Sequence, residues 1–127
     1  MKNLTSMTKS LEDYLETVFL IASEKKIVRV KDMTEIMQVK TSSVIKAMKI
    51  LVDAGFIQHE KYGYIELTSI GHAEGKKIYQ KHQMLRRFLV EILHVSNDIA
   101  EQDACAIEHC LSDETYQKLI VFMNESR

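Results

Sequence analysis

Proline and tryptophan are absent from this 127-residue sequence, and glycine occurs only four times. All-β sandwiches draw heavily on glycine- and proline-rich turns, so this scarcity weighs against them and favours helices. Cysteine is also rare. Cys105 and Cys110 stand five apart, which does not make a disulfide framework. No apolar run approaches the length of a membrane span, and Met1 to Ser6 lacks the long apolar stretch of a signal peptide. The expectation is a cytoplasmic protein with no membrane partner, whose thiols stay reduced.

What is present fits a soluble globular chain, with 46% apolar and 28% charged residues. The length allows one ordinary domain, or a small domain with an appended half. Net charge is only −1, but it is unevenly placed. Residues 25–49 carry seven basic side chains (Lys25, Lys26, Arg29, Lys31, Lys40, Lys46 and Lys49) against Asp32 and Glu35. Residues 91–127 carry eight acidic side chains against Lys118 and Arg127. Such asymmetry suggests a DNA-facing part and a part with another task, although solvated helix faces would look similar.

Leu11, Tyr14, Leu15, Val18, Phe19, Ile21 and Ala22 recur at helical spacing, predicting a helix over about residues 8–24 with Ser10 as its cap. Val28 to Val30 predicts a short strand and Lys31 to Met37 a second helix. A third helix is expected to run through Val52, capped within Thr41-Ser42-Ser43 and ended by Gly55. The alternation of Phe56–Glu60 and Tyr64–Leu67 predicts a hairpin turning at Lys61-Tyr62-Gly63. Helices follow over about Gly71–Leu93 and Asp98–Cys110, and a last one, capped at Ser112, ends near Met123.

Helix, strand, helix, turn, helix, hairpin is the order of a winged helix-turn-helix. The fold class is therefore mainly α, with this module over residues 1–70 and a helical domain over 71–127. The third helix must present its first residues to the major groove. The expected DNA contacts are Lys40, Thr41, Ser42, Ser43 and Lys46, flanked by Arg29 and Lys31, with Lys61 and Tyr62 at the wing tip. A winged helix that binds protein would share the fold, but the basic flank favours double-stranded DNA.

Cys105, Glu108 and His109 are spaced i, i+3, i+4, so they project from one helical face. Thiolate, carboxylate and imidazole are all ligands of first-row metals. For the isolated triplet, a small core cysteine and a satisfied polar histidine explain the spacing as well. Asp13 and Glu16 on the first helix and His82 on the long one add three further donors. Each alone reads as a dipole partner or a surface residue. Together with the triplet they offer six donors from three helices.

The sequence resembles the diphtheria toxin repressor and manganese transport regulator family of metal-dependent transcription factors. The resemblance rests on Glu12-Asp13-Tyr14-Leu15-Glu16-Thr17, Val28-Arg29-Val30-Lys31-Asp32, Ser42-Ser43-Val44, Glu60-Lys61-Tyr62 and Leu67-Thr68. It continues in Lys81-His82, Cys105-Ala106-Ile107-Glu108-His109 and Leu111-Ser112-Asp113-Glu114. It implies that Asp13, Glu16, His82, Cys105, Glu108 and His109 are metal ligands. Asp13 and Glu16 look like the manganese-responsive branch, Cys105 like the iron-responsive one. The iron branch's ancillary site is only partly matched: Arg86 stands where that branch has a carboxylate, and Glu101 where it has a histidine. The resemblance stops at Arg127, short of the SH3-like third domain of longer members.

The resemblance also implies a repressor. Manganese or iron, with zinc, cobalt or nickel as substitutes in vitro, acts as co-repressor. A homodimer formed through the second half then binds palindromic operator DNA and controls metal-homeostasis genes. A metal held by ligands from both halves would pin one against the other and fix the spacing of two recognition helices. Two other classes share parts of the pattern. A metal-blind winged-helix regulator leaves the six donors unexplained, and a small metalloenzyme lacks a separate general base or nucleophile. The expectation is a protein that is not an enzyme.

Overall fold

A computed structural model describes residues 7–25, 27–60 and 63–125. The chain divides into two compact units, Met1–Lys76 and Lys77–Arg127.

The first unit holds α1 (Lys9–Glu24), β1 (Val28–Arg29), α2 (Val30–Met37), α3 (Thr41–Asp53), β2 (Ile57–His59), β3 (Tyr64–Leu67) and the start of α4 (Ser69–Arg87). The strands form one antiparallel sheet in the order β1-β3-β2, with Val28 opposite Ile65 and Gln58 opposite Glu66. This is the expected winged helix-turn-helix. Val44, Ala47, Met48 and Leu51 of α3 are buried, as are Leu15 and Val18 of α1 and Met33 of α2. These i, i+3, i+4, i+7 positions are the apolar stripe that the sequence displays. Each large side chain stabilises the unit by about 1.5–3 kcal/mol.

Helix starts depart from expectation by a residue or two. Thr8, not Ser10, caps α1, its hydroxyl accepting the Leu11 N–H at 3.1 Å. Lys40 occupies the cap position of α3 without a side-chain cap bond, so Thr41, Ser42 and Ser43 lie inside the first turn. At α2, Asp32 accepts the Arg29 N–H at 3.0 Å and an ion pair from Lys25 at 2.9 Å. The Lys25 hydrogen bond holds its carboxyl below the usual carboxylate value. Gln38 ends α2 in the left-handed conformation (φ 58°), a place usually given to glycine. Gly55 (φ 87°) and Gly63 (φ 91°) take the same region, after α3 and in the hairpin.

Thr68 joins the wing to α4. Its N–H bonds Phe56 O at 3.0 Å, and its hydroxyl donates to Gly55 O at 2.7 Å while accepting the Gly71 N–H at 3.0 Å. That makes Thr68 the cap, so α4 starts at Ser69 rather than Gly71. Gly71 lies against backbone: a Cβ there would sit 1.8 Å from Phe56 O.

The second unit contains the rest of α4, a π-helical turn (Phe88–Ile92), α5 (Asn97–Ile107) and α6 (Asp113–Glu125). The long helix was expected to run unbroken to Leu93. Instead it widens after Arg87 and closes with Val95 N–H bonded to Leu89 O at 2.8 Å, across His94 at φ 61°. Ser112 caps α6 as expected, accepting the Thr115 N–H at 3.1 Å. Leu85 and Leu89 are buried, and the exposed large apolar side chains of this unit are Leu93, Ile99, Ile107, Val121 and Phe122.

Candidate metal centre and nucleic-acid interface

Cys105 and Glu108 lie three apart at the end of α5. Regular helix stops at Ile107, shorter than the expected Cys110, but Glu108 keeps helical angles and bonds its N–H to Ala104 O at 3.0 Å. Both side chains therefore retain one face. His82, near the middle of α4, meets them there. Ligand atoms of His82, Cys105 and Glu108 all lie within 4.8 Å of one another.

Glu108 is the centre of this group and is only 2% exposed. Its Oε1 is 2.7 Å from His82 Nδ1. Its Oε2 is buried without a hydrogen bond, and His109 Nε2 lies 3.4 Å away. A buried carboxylate oxygen left in this state is costly, and a cation is its natural partner. The other ring nitrogen, His82 Nε2, is 2.9 Å from Glu101. Glu108, helped by Glu101, lifts the His82 pKa to about 9, although burial opposes the shift. In the metal-free chain the imidazolium thus supplies the positive charge that Glu108 requires.

Imidazole nitrogen, thiol sulfur and carboxylate oxygen in one small space form a donor set suited to a divalent transition metal. The residues present therefore fit the metal that the resemblance implies. Asp13 and Glu16 belong to the first unit, three residues apart on α1, and Glu16 is 8% exposed. Arg86 lies 3.9 Å from Glu101, placing a cation beside that carboxylate. Cys105 and Cys110 are both exposed, and neither is in a disulfide.

The sequence reading noted Glu101 only as a departure from the family and missed its contact with His82. A signal was present, because Glu101, Cys105 and Glu108 recur at i, i+4, i+7 on one helical stripe.

In the first unit, Lys40, Thr41, Ser42, Ser43 and Lys46 are all exposed around the start of α3. Lys31 is exposed in the first turn of α2. Arg29 is exposed but engaged: its guanidinium lies 5.1 Å above the Tyr64 ring and 3.4 Å from the Tyr64 hydroxyl. Lys61 and Tyr62 lie outside the described residues.

Two family models divide the chain between them. Residues 6–65 match the iron dependent repressor N-terminal DNA binding domain, and residues 68–127 match the iron dependent repressor metal binding and dimerisation domain. An uncharacterised HTH-type transcriptional regulator of Methanocaldococcus jannaschii is 37% identical over 94% of this chain and 96% of its own length. The HTH-type transcriptional regulator MntR of Bacillus subtilis is 37% identical over 83% of this chain and 73% of its own. Among solved structures, the metal-dependent transcriptional regulator MtsR superposes with a TM-score of 0.84 at 27% identity, covering 93% of this chain. The chain spans about half of that structure, 55% of its length. Two matched models that together take in nearly every residue, with relatives above 30% identity over most of their length, place the chain in the iron dependent repressor family.

Proposed function

We propose that this chain is a metal-activated, DNA-binding repressor and not an enzyme. The observation that carries the reading is the meeting of His82, Cys105 and Glu108, whose ligand atoms lie within 4.8 Å of one another at a buried carboxylate. The bound ion is manganese or iron. Its ligands are His82, Cys105, Glu108 and His109, with Asp13 and Glu16 assigned by the resemblance of α1. The ion supplies the charge that Glu108 otherwise takes from imidazolium.

The DNA contacts are Lys40, Thr41, Ser42, Ser43 and Lys46 at the start of α3, Arg29 and Lys31 beside it, and Lys61 and Tyr62 in the wing. The DNA-reading part is residues 1–70, and residues 71–127 hold metal and dimerise. Leu93, Ile99, Ile107, Val121 and Phe122 are 39–55% exposed, the apolar side chains that this unit offers to a partner. A second copy covers this surface, and a two-fold dimer reads a palindromic operator. The protein works in the cytoplasm, where metal level and DNA meet. Metal promotes operator binding only by the extra affinity it has for the binding-competent form.

The test is operator binding titrated with manganese and with iron, anaerobically and under reducing conditions. Metal should tighten binding, and operator DNA should tighten metal binding by the same factor. Tight operator binding in excess chelator refutes the proposal.

A further inference from the structure

We infer that Glu101 is the positioning residue of the metal site: by accepting the Nε2 proton of His82 it reserves Nδ1 as the ligating nitrogen. The inference deepens the proposed metal reading and rests on it.

The imidazole is wedged between two turns of α5. Nε2 faces Glu101 at 2.9 Å and Nδ1 faces Glu108 at 2.7 Å. These carboxylates are seven residues apart, about 10 Å along a helix, a gap that the ring and its two hydrogen bonds bridge. Tyr79, one turn earlier on α4, lies nearly parallel to the ring, at 9° and a centroid distance of 6.4 Å. The plane of the imidazole and both of its nitrogens are therefore specified.

Glu108, the neighbour of Nδ1, is also the carboxylate that gathers with His82 and Cys105, so a cation held by these three belongs on the Nδ1 side. When metal replaces the proton on Nδ1, neutral imidazole retains its other proton on Nε2. Glu101 holds that proton, fixing the tautomer that leaves a lone pair toward Glu108. Ligating histidines commonly use a carboxylate in this way, and losing it weakens metal binding about 10- to 100-fold. Glu101 is 57% exposed at its side chain, so the lower end of that range applies. Arg86, 3.9 Å from the same carboxylate, opposes a second cation at Glu101. Glu101 thus serves His82 where the iron branch has a ligand of its own.

The test uses the full chain, with cadmium-113 as the probe and histidine labelled with nitrogen-15. In the wild type, cadmium coupling should appear at His82 Nδ1 and a retained proton at Nε2. Glu101→Ala should lose about tenfold in cadmium affinity and split the coupling between the two nitrogens. Glu101→Gln should recover most of the loss, because its carbonyl oxygen still accepts the proton. Thermal melts establish that both variants fold, as expected for a side chain at the surface. Coupling at Nε2 in the wild type overturns the inference. So does a Glu101→Ala variant with unchanged affinity and unchanged coupling. A wild type that binds no cadmium overturns the underlying metal reading as well, and is distinguished by the absence of any coupling.

Discussion

Gly71→Ala should destabilise the protein severely, although alanine is the better helix former. Glycine costs about 0.8–1.0 kcal/mol relative to alanine inside a helix, so propensity alone favours the substitution. The packing opposes it. The added Cβ would stand 1.8 Å from Phe56 O, 2.7 Å from its carbonyl carbon and 3.1 Å from its Cα. All three are main-chain atoms, so no side-chain rotation relieves the clash. An ordinary contact requires a shift of roughly 1.5–2 Å. The Phe56 carbonyl also accepts the Thr68 N–H at 3.0 Å and shares, at 3.1 Å, the Thr68 hydroxyl proton that bonds Gly55 O, and the shift endangers both contacts. Overpacking costs about 1–3 kcal/mol and each strained hydrogen bond about 1 kcal/mol. After the propensity gain, a net loss of about 2–4 kcal/mol remains. For a unit of this size that lowers the melting temperature by about 10–30 °C. Gly75→Ala is the milder comparison, because the three atoms nearest its Cβ belong to the Phe19 side chain, the closest at 2.8 Å, and none is main chain. Circular-dichroism melts of the two variants decide the matter. A Gly71→Ala protein as stable as wild type, or more stable than Gly75→Ala, refutes the packing argument.

Lys46→Ala removes an exposed charge from α3 and should leave the melting temperature unchanged while weakening operator binding several-fold. If Lys46 contacts phosphate, the loss is equal on all sequences and the salt slope falls by about one, both measurable by fluorescence anisotropy. Metal affinity should rise with pH, because metal must displace the Nδ1 proton of His82, whose pKa Glu108 and Glu101 raise to about 9. Titrations in buffered metal should show a gain of at least about tenfold per unit between pH 7 and about 9, steeper where the Cys105 thiol also gives up its proton, and a flat profile excludes His82 as a ligand. The same shift has the opposite sign for the metal-free fold. The charged His82–Glu108 pair stabilises it fully below the unfolded-state value of 6.5, and that contribution is lost as pH rises through about 9.

Much of the fold is legible because the apolar positions repeat with the period of the element they build. In α3, Val44, Ala47, Met48 and Leu51 form one stripe, all of it buried. Alternation in Tyr64–Leu67 likewise marks a strand. Helix ends are harder to read, since several residues satisfy the same local rule. Thr8 and Ser10 can both cap α1, and only the bond from Leu11 distinguishes them. The end of α4 has no glycine or proline to mark it. His94 occupies the left-handed position there, so the π-helical turn leaves no signal in the sequence.

The site divides in the same way. Donor types and spacings within one helix are local, so Cys105, Glu108 and His109 stand out at i, i+3, i+4. The partner of His82 depends on the register of α4 against α5, which no local spacing encodes. That register gives Glu108 two tasks. One oxygen, 2.7 Å from Nδ1, stabilises a protonated imidazole in the metal-free chain, and the other is buried with no hydrogen bond. An imidazolium and a divalent cation cannot both occupy that space, because the proton lies on the nitrogen that the metal needs. On the proposed reading, metal binding at this site would exchange one cation for another. The buried carboxylate keeps a charge partner in both states, so the second unit can remain folded while empty and still favour the ion when it arrives.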